Sequence, residues 1–185
     1  MLRPRSARGL LSAIAGRQRR PVTLLTAGVC LSLGLVQVVK PVPRLIWNAS
    51  ASAPVGLFWL SVTKDVVRGD WVLAWLPKEA RVMAARRHYL PADTPAVKRV
   101  AALGGDLVCV RGATVSINSR AVAEALPIDH AGLTLAPWRG CRLLADDELF
   151  LLNEGSPASF DGRYFGPSER EDVVGKLLPV LTFSR

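Results

Sequence analysis

Ser52 and Lys98 have the chemistry of a nucleophile and a general base. A serine hydroxyl becomes a useful nucleophile only when a neighbouring group takes its proton. An unperturbed lysine, with a pKa of about 10.4, is neutral in only about one molecule in 2,500 at pH 7. Burial disfavours the lysine cation and lowers the pKa by up to about 3–5 units. This pair therefore requires a buried lysine.

Lys98 lies in a stretch with the composition of a β-strand, residues 97–103. Side chains alternate between the two faces of a strand, so Lys98 shares its face with Ala96, Val100 and Ala102. All three neighbours are apolar, and the other face is nearly as apolar. The pattern predicts a lysine that is largely removed from water.

Other hydrolytic chemistries find little support in the sequence. No G-x-S-x-G motif is present, and neither His88 nor His130 has surroundings that mark it as a general base. The H-E-x-x-H motif of zinc peptidases is absent, and the histidines show no ligand spacing with the cysteines. We therefore predict no metal site and no cofactor.

The charge of the chain is concentrated at its N-terminus. The 185 residues carry a formal net charge of +9, and no acidic residue occurs before position 65. Six arginines in the first 20 residues supply +6, without any aromatic residue among them. They are Arg3, Arg5, Arg8, Arg17, Arg19 and Arg20. Nucleic-acid binding would favour basic and aromatic residues together on the folded part, so we predict no nucleic-acid partner.

Residues 22–39 form an apolar run of 18 residues without a charge. A helix of this length spans about 27 Å, close to the hydrocarbon core of about 30 Å. The arginine-rich end should remain cytoplasmic by the positive-inside rule. The sequence thus predicts a basic tail (1–21), a transmembrane anchor (22–39), a linker (40–47) and an exported domain (48–185).

A cleaved signal peptide is the alternative to this anchor. Residues 49–51 and 51–53 both have the small-x-small form of a cleavage site. The apolar run exceeds the roughly 7–15 residues of a signal peptide core, however. Lys40, Pro41, Pro43 and Arg44 also separate the run from those sites. We therefore favour an uncleaved anchor.

The exported part has the pattern of a mainly β domain with one short helix. Most connections are too short for crossovers, which favours antiparallel strands. We predict a hairpin of strands 57–62 and 71–76, and a second hairpin around residues 118–120. Residues 123–146 are expected to be irregular. Further predicted elements are a helix at 78–90 and strands at 97–103, 107–110, 148–153 and 173–181.

The chain has three cysteines, of which Cys30 lies in the predicted anchor. Cys109 and Cys141 both lie in the exported part, where an oxidising compartment permits a disulfide. That bond would close a loop of about 33 residues and contribute roughly 3–4 kcal/mol. Two free buried thiols are the alternative. We favour the disulfide.

Three stretches, in order, resemble the successive boxes of the type I signal (leader) peptidase family. They are Ser50-x-Ser52, the strand from Lys98 to Asp106, and residues 159–166. The closer resemblance is to its TraF-type branch, the conjugal-transfer pilin-processing peptidases. That branch shares the serine followed by x-Pro-x-Gly and an aromatic, and the closing Ser-Phe-Asp-x-Arg-Tyr-Phe-Gly-Pro. The resemblance covers about residues 45–180 and implies a signal-peptidase-like antiparallel β catalytic domain.

The resemblance implies a role for each matching residue. Ser52 matches the nucleophile and Lys98 the general base. Ser50 matches a hydroxyl that assists the Ser52 backbone N–H in an oxyanion hole. Ser159 matches the serine that orients the lysine.

The closing box adds an acidic and a basic residue. Asp161 and Arg163 match its acidic-basic pair, and the resemblance implies that Asp161 is important for catalysis. The sequence also departs from the family pattern at three positions. Gly104 stands in place of proline, Gly162 in place of serine, and Ala53 in place of a bulkier apolar residue. None of these changes removes a reacting group, so they bear more on substrate preference than on activity.

The implied function is a membrane-anchored serine endopeptidase that processes an exported precursor, foremost a conjugative pilin, with a linear or a cyclised product. The implied location is the bacterial inner membrane, with the catalytic domain in the periplasm and membrane lipid as a partner. A general type I signal peptidase is one alternative. A non-enzymatic anchored subunit of a transfer apparatus is the other.

Overall fold

A computed structural model of the chain describes residues 24–32 and 43–183. The chain divides into two units, one ending at Val42 and the other beginning at Pro43. In the first unit, residues 24–32 are helical. The predicted tail and the rest of the predicted anchor, 22–23 and 33–39, lie outside the described residues. No helix in the described part of the chain is long and apolar enough to cross a bilayer.

The second unit consists of strands and short helices. The strands are β1 (Leu45–Asn48), β2 (Val55–Ser61), β3 (Trp71–Ala74), β4 (Ala96–Leu103), β5 (Leu107–Arg111), β6 (Thr114–Ile117), β7 (Arg120–Glu124), β8 (Gly140–Leu143), β9 (Glu148–Leu151), β10 (Ser168–Glu169) and β11 (Val173–Phe183). The helices are α1 (Lys78–Arg86) and α2 (Gly162–Phe165), with a 3-10 turn at Arg170–Asp172.

These strands form two antiparallel sheets. The larger has the order β1-β2-β11-β3-β4-β9-β10, and the smaller has the order β7-β6-β5-β8. The prediction of a mainly antiparallel β domain with a short helix after the first strands is confirmed. The predicted turn at 118–120 is also confirmed, because Asn118 and Ser119 adopt positive φ between the paired strands β6 and β7.

The predicted hairpin of β2 and β3 is wrong. Strand β11 lies between them and pairs antiparallel with both. The physical reason is burial: Leu177 of β11 packs with Phe58, Leu60 and Leu73 in one apolar cluster. Direct pairing of β2 with β3 would leave no place for this strand in the sheet. Packing of β11 against β2 and β3 therefore decides the strand order, although the short connection between β2 and β3 favours a hairpin.

Other boundaries also differ from the sequence prediction. The helix predicted at 78–90 ends at Arg86. Residues 45–47, assigned to the linker, belong to β1, which pairs with β2 over its whole length. The region 123–146, expected to be irregular, contains β8. All four residues of β8 are exposed, so no apolar alternation marks the strand.

Strand β8 brings the two cysteines of the second unit together. Cys109 and Cys141 are directly opposite each other in the β5–β8 pair. Their sulfur atoms are bonded at 2.05 Å, across 32 positions of sequence. The bond ties the otherwise exposed edge strand to the centre of the smaller sheet.

Gly104, one of the three departures from the family pattern, lies in the tight turn from β4 to β5. A Cβ atom at this position would lie 2.7 Å from Asp146 Cα and 2.8 Å from the Ala145 carbonyl oxygen. Both contacts are with backbone, which cannot move aside cheaply. The close approach of the chain before β9 therefore explains the glycine.

One side of the larger sheet is apolar and exposed, and we call it the outer apolar face. Its members are opposite one another on three neighbouring strands: Leu45, Trp59 and Leu178 form one row. A register shift before Leu181 keeps that residue on the same face. The large side chains are between 45% and 58% exposed. They are Leu45, Trp47, Trp59, Leu178, Leu181 and Phe183.

Candidate active site

The two candidate serines lie in the loop of residues 49–54 that joins β1 to β2, which we call the serine loop. The buried side chain of Asn48 holds this loop. Its Nδ2 donates to the carbonyl oxygens of Ser50 (3.0 Å), Ala53 (3.3 Å) and Pro54 (2.9 Å). Its Oδ1 accepts from the Ser50 backbone N–H at 3.1 Å. One amide group thus fixes the loop from inside.

Ser50 and Ser52 share a hydrogen bond. Their Oγ atoms are 2.9 Å apart, and the Ser52 backbone N–H approaches Ser50 Oγ at 3.4 Å. Ser52 is half-buried and Ser50 is exposed. The Ser50 hydroxyl therefore lies where the Ser52 N–H points. A hydroxyl at this place can rotate to donate to an oxyanion that the same N–H reaches.

Lys98 is buried on β4, as its apolar neighbours predict. Only 5% of the residue is exposed, and its Nζ donates to Ser159 Oγ at 3.1 Å. Burial lowers the pKa of Lys98 from 10.5 to about 8, with the charge of Asp161 opposing the change and that of Arg163 adding to it. At that pKa, about one molecule in ten has a neutral amine at pH 7. A proton acceptor is therefore available near neutrality.

Ser52 and Lys98 border the same cavity of about 670 Å³, which we call the first cavity. Ser50 and Ser159 border it too, so four of the sequence-predicted residues line this cavity. The rest of its wall is mainly apolar and aromatic. It includes Leu76, Val97, Leu126, Leu135, Phe160 and Tyr164.

Asp161 and Arg163 form a buried ion pair next to this cavity. Asp161 is 0% and Arg163 1% exposed, and Arg163 Nε donates to Asp161 Oδ1 at 2.8 Å. The guanidinium also donates to four backbone carbonyl oxygens, at 3.0–3.2 Å, in the segments around the site. Asp161 itself bonds to Arg163 and Asn153. The pair thus holds the chain that carries Ser159 beneath the Lys98 amine, and its carboxylate acts on Lys98 through its field.

Asn153 is a functional residue that sequence reasoning missed. Its Nδ2 donates to the Ser52 carbonyl oxygen at 2.7 Å, and its Oδ1 accepts from the Arg99 backbone N–H at 3.0 Å. Its own backbone N–H donates to Asp161 at 3.1 Å. One buried amide therefore connects the serine loop, the lysine strand and the closing box.

Asn48 and Asn153 share a sequence signal that could have identified them. Each is an asparagine directly after an apolar stretch with strand-forming residues, LIWN and ELFLLN. A buried amide at the end of a strand must satisfy its donors and acceptor internally. At both positions the amide nitrogen does so with carbonyl oxygens of the serine loop.

Gly162, the second departure from the family pattern, begins α2 directly after Asp161. A Cβ atom here would lie 2.8 Å from both the Leu151 carbonyl oxygen and the Phe150 ring. The backbone after the Asp161 carboxylate is therefore packed against β9. Glycine permits that approach, which brings Asp161 and Arg163 into the core.

The chain matches known proteins over most of its length. A family model described as signal peptidase, peptidase S26, matches residues 18–181. A plasmid transfer protein TraF from Escherichia coli is 34% identical over 147 residues, which cover 74% of this chain and 82% of the relative. A conjugal transfer protein TraF from Agrobacterium tumefaciens (strain 15955) is 33% identical over 178 residues, covering 90% and 98% of the two chains.

A solved structure is also similar. The crystal structure of a signal peptidase I from Enterococcus faecalis V583 overlaps with a TM-score of 0.38 at 21% identity. The overlap covers 64% of this chain and all of that one.

Replacing the buried lysine by an apolar residue should stabilise the fold. Below pH 8 the folded state carries the full cost of a buried cation, and this cost is lifted as the pH rises from about 8 towards the unfolded pKa. We expect Lys98→Met to raise the free energy of unfolding at pH 7 by about 2–3 kcal/mol, net of the lost bond to Ser159. Urea unfolding of the full chain in detergent, followed by tryptophan fluorescence, measures this gain.

The same experiment at pH 10 should show a smaller gain, because the wild-type amine is then neutral in the folded state. Lys78→Met, the same change at an exposed position of α1, is the matched control. It should show neither the gain in stability at pH 7 nor the decrease of that gain at pH 10. A Lys98→Met chain less stable than wild type at pH 7 would contradict the assignment of a costly buried amine.

Proposed function

Since the chain belongs to the signal peptidase, peptidase S26, family, we propose that it is a membrane-anchored serine endopeptidase with a Ser52–Lys98 dyad. Its proposed substrate is an exported precursor, foremost a conjugative pilin. The observation that carries this proposal is a lysine with a pKa lowered to about 8, buried on the same cavity as a serine hydroxyl.

The proposed reaction begins with the neutral Lys98 amine. It takes the proton of Ser52 Oγ as that oxygen attacks the carbonyl carbon of the scissile bond. The Ser52 N–H and the Ser50 hydroxyl stabilise the oxyanion. The intermediate collapses to an acyl-enzyme, and the protonated Lys98 gives its proton to the departing amine.

The second half of the reaction regenerates the enzyme. Lys98 takes a proton from a water molecule, the hydroxide oxygen attacks the acyl carbon, and Ser52 leaves with the proton returned by Lys98. If an amine of the substrate attacks in place of water, the product is a cyclic peptide and no water is consumed. Both routes use the same groups.

The choice of a pilin rests on the TraF relatives. These proteins carry names that refer to plasmid or conjugal transfer, and 34% identity with one of them extends over 74% of this chain. The family description itself favours a second candidate, a general signal peptidase that clears ordinary secretory precursors. Complementation of a host depleted of its own leader peptidase distinguishes the two, since only the general enzyme restores growth.

The proposed location is the bacterial inner membrane, with residues 22–39 as a single-pass anchor and the catalytic domain in the periplasm. Three observations support this placement. The anchor run is apolar and follows an arginine-rich tail. The Cys109–Cys141 disulfide suits an oxidising compartment. The outer apolar face lies on β1 and β2, the strands that the serine loop connects, and so would bring the site against the bilayer.

Loss of either dyad residue should abolish processing. We expect Ser52→Ala and Lys98→Ala each to lower the cleavage rate at least about a thousandfold, because each change removes one of the two proposed reacting groups. Co-expression with pilin precursors from conjugative plasmids, followed by mass spectrometry of the product, measures this and separates linear from cyclic forms. Ser116→Ala and Lys78→Ala are the matched controls. Retained cleavage in either dyad variant would refute the dyad.

Activity should rise with pH through the pKa of Lys98. The reacting form has a neutral amine, so kcat/KM should increase about tenfold per pH unit at low pH and level off above a midpoint near 8. The measurement uses internally quenched peptides with small residues before the cut, between pH 5.5 and 9.5. A rate that is independent of pH across this range would contradict Lys98 as the base.

The outer apolar face should contact lipid. In full-length protein reconstituted into vesicles, we expect lipids brominated near the headgroups to quench Trp47 and Trp59, which are 58% and 45% exposed. The double variant Trp47→Phe/Trp59→Phe should lose most of the quenching, whereas Trp138→Phe, at a half-buried position against the core, should retain it. Equal quenching in the double variant and the wild type would contradict lipid contact by this face.

A further inference from the structure

Ser52 borders a second cavity, of about 450 Å³, which we call the second cavity. Strand β4 contributes to both cavities through consecutive residues. Lys98 lines the first cavity and Arg99 lines the second. The candidate nucleophile thus borders one cavity with a buried amine and another with an exposed guanidinium.

A peptidase must hold its substrate on both sides of the bond that it cuts. The first cavity is mainly apolar and suits the small side chains that precede the cut. The second cavity has a different character, because its wall includes Arg99, Glu154, Ser156 and Thr182. Because it borders Ser52 and is separate from the first cavity, it can accept the segment that leaves.

We propose that the second cavity binds the leaving side of the substrate and that Arg99 selects an acidic side chain there, within the first residues after the cut. The inference rests on the proposed peptidase function. It adds a specificity-determining residue that lies outside the dyad and its supporting network.

The Arg99 side chain is held in a way that leaves its charged end available. Its Nε donates to the Gly69 carbonyl oxygen at 2.9 Å, and the guanidinium carbon lies 5.8 Å from the centre of the Trp71 ring. Among residues 24–32 and 43–183, neither Nη group makes a hydrogen bond and Arg99 has no ion-pair partner. A guanidinium fixed by its Nε presents its two Nη groups to a carboxylate.

Glu154 is the other charged residue of the described wall of this cavity. It is exposed, and within the described part of the chain it forms no ion pair with Arg99. A substrate carboxylate would therefore be attracted by Arg99 and repelled by Glu154. Removal of the two charges must shift the preference in opposite directions, which a general loss of folding or activity would not do.

The test uses internally quenched peptides that are identical before the cut and carry Asp, Asn or Lys at one of the first three positions after it. For the full-length wild-type enzyme we expect kcat/KM to be about three- to tenfold higher for Asp than for Lys at one position, the range of a partly exposed ion pair. Arg99→Gln should remove this preference and Arg99→Lys should keep part of it. Glu154→Gln should increase it.

Arg120→Gln, which removes an exposed arginine from β7 in the smaller sheet, is the matched control and should leave the preference unchanged. Equal cleavage of all three peptides by the wild type, or an unchanged preference in Arg99→Gln, would overturn the inference and leave the peptidase function standing. The absence of any cleavage by the wild type, together with failure of a penem-like acylating probe to label Ser52, would overturn the proposed function and the inference with it.

Discussion

The site depends on keeping one amine out of water. A lysine in solvent is almost always charged at neutral pH, and burial is the main cause that makes Lys98 a proton acceptor. The domain achieves this by placing Lys98 in the middle of the larger sheet, between β3 and β9. A carboxylate that bonded directly to the amine would restore its charge. Asp161 is instead occupied by Arg163 and Asn153, so its effect on the Lys98 pKa is weaker than that of burial.

The surrounding polar groups form a frame for this amine. Arg163 satisfies its donors with Asp161 and four backbone carbonyls, and this ties down the chain that carries Ser159. Asn153 and Asn48 then fix the serine loop by bonds to its carbonyl oxygens. Buried groups that are fully hydrogen-bonded define a single arrangement, because any shift leaves one of them without a partner. The candidate nucleophile and base are thus placed by groups to which we assign no reacting role.

The sequence predicts those parts of the fold and of the candidate site that depend on local patterns of residues. The buried face of β4, the helix after Pro77 and the turn at Asn118 all follow from short patterns of apolar, proline and asparagine residues. The hairpin of β2 with β3 was wrong because the competing partner, β11, lies about 100 residues further along the chain. Strand β8 was missed because all four of its residues are exposed. Asn48 and Asn153 were missed because their side chains act through hydrogen bonds to backbone carbonyl oxygens, which the spacing of residue types does not specify.

The place of β11 has a consequence for biosynthesis. It follows every other described strand in the chain, yet it lies between β2 and β3. A nascent chain that ends before Val173 has the serine loop but lacks the strand that joins β2 to the lysine-bearing half of the sheet. The two halves of the proposed site therefore come together in one sheet only after β11 has been synthesised.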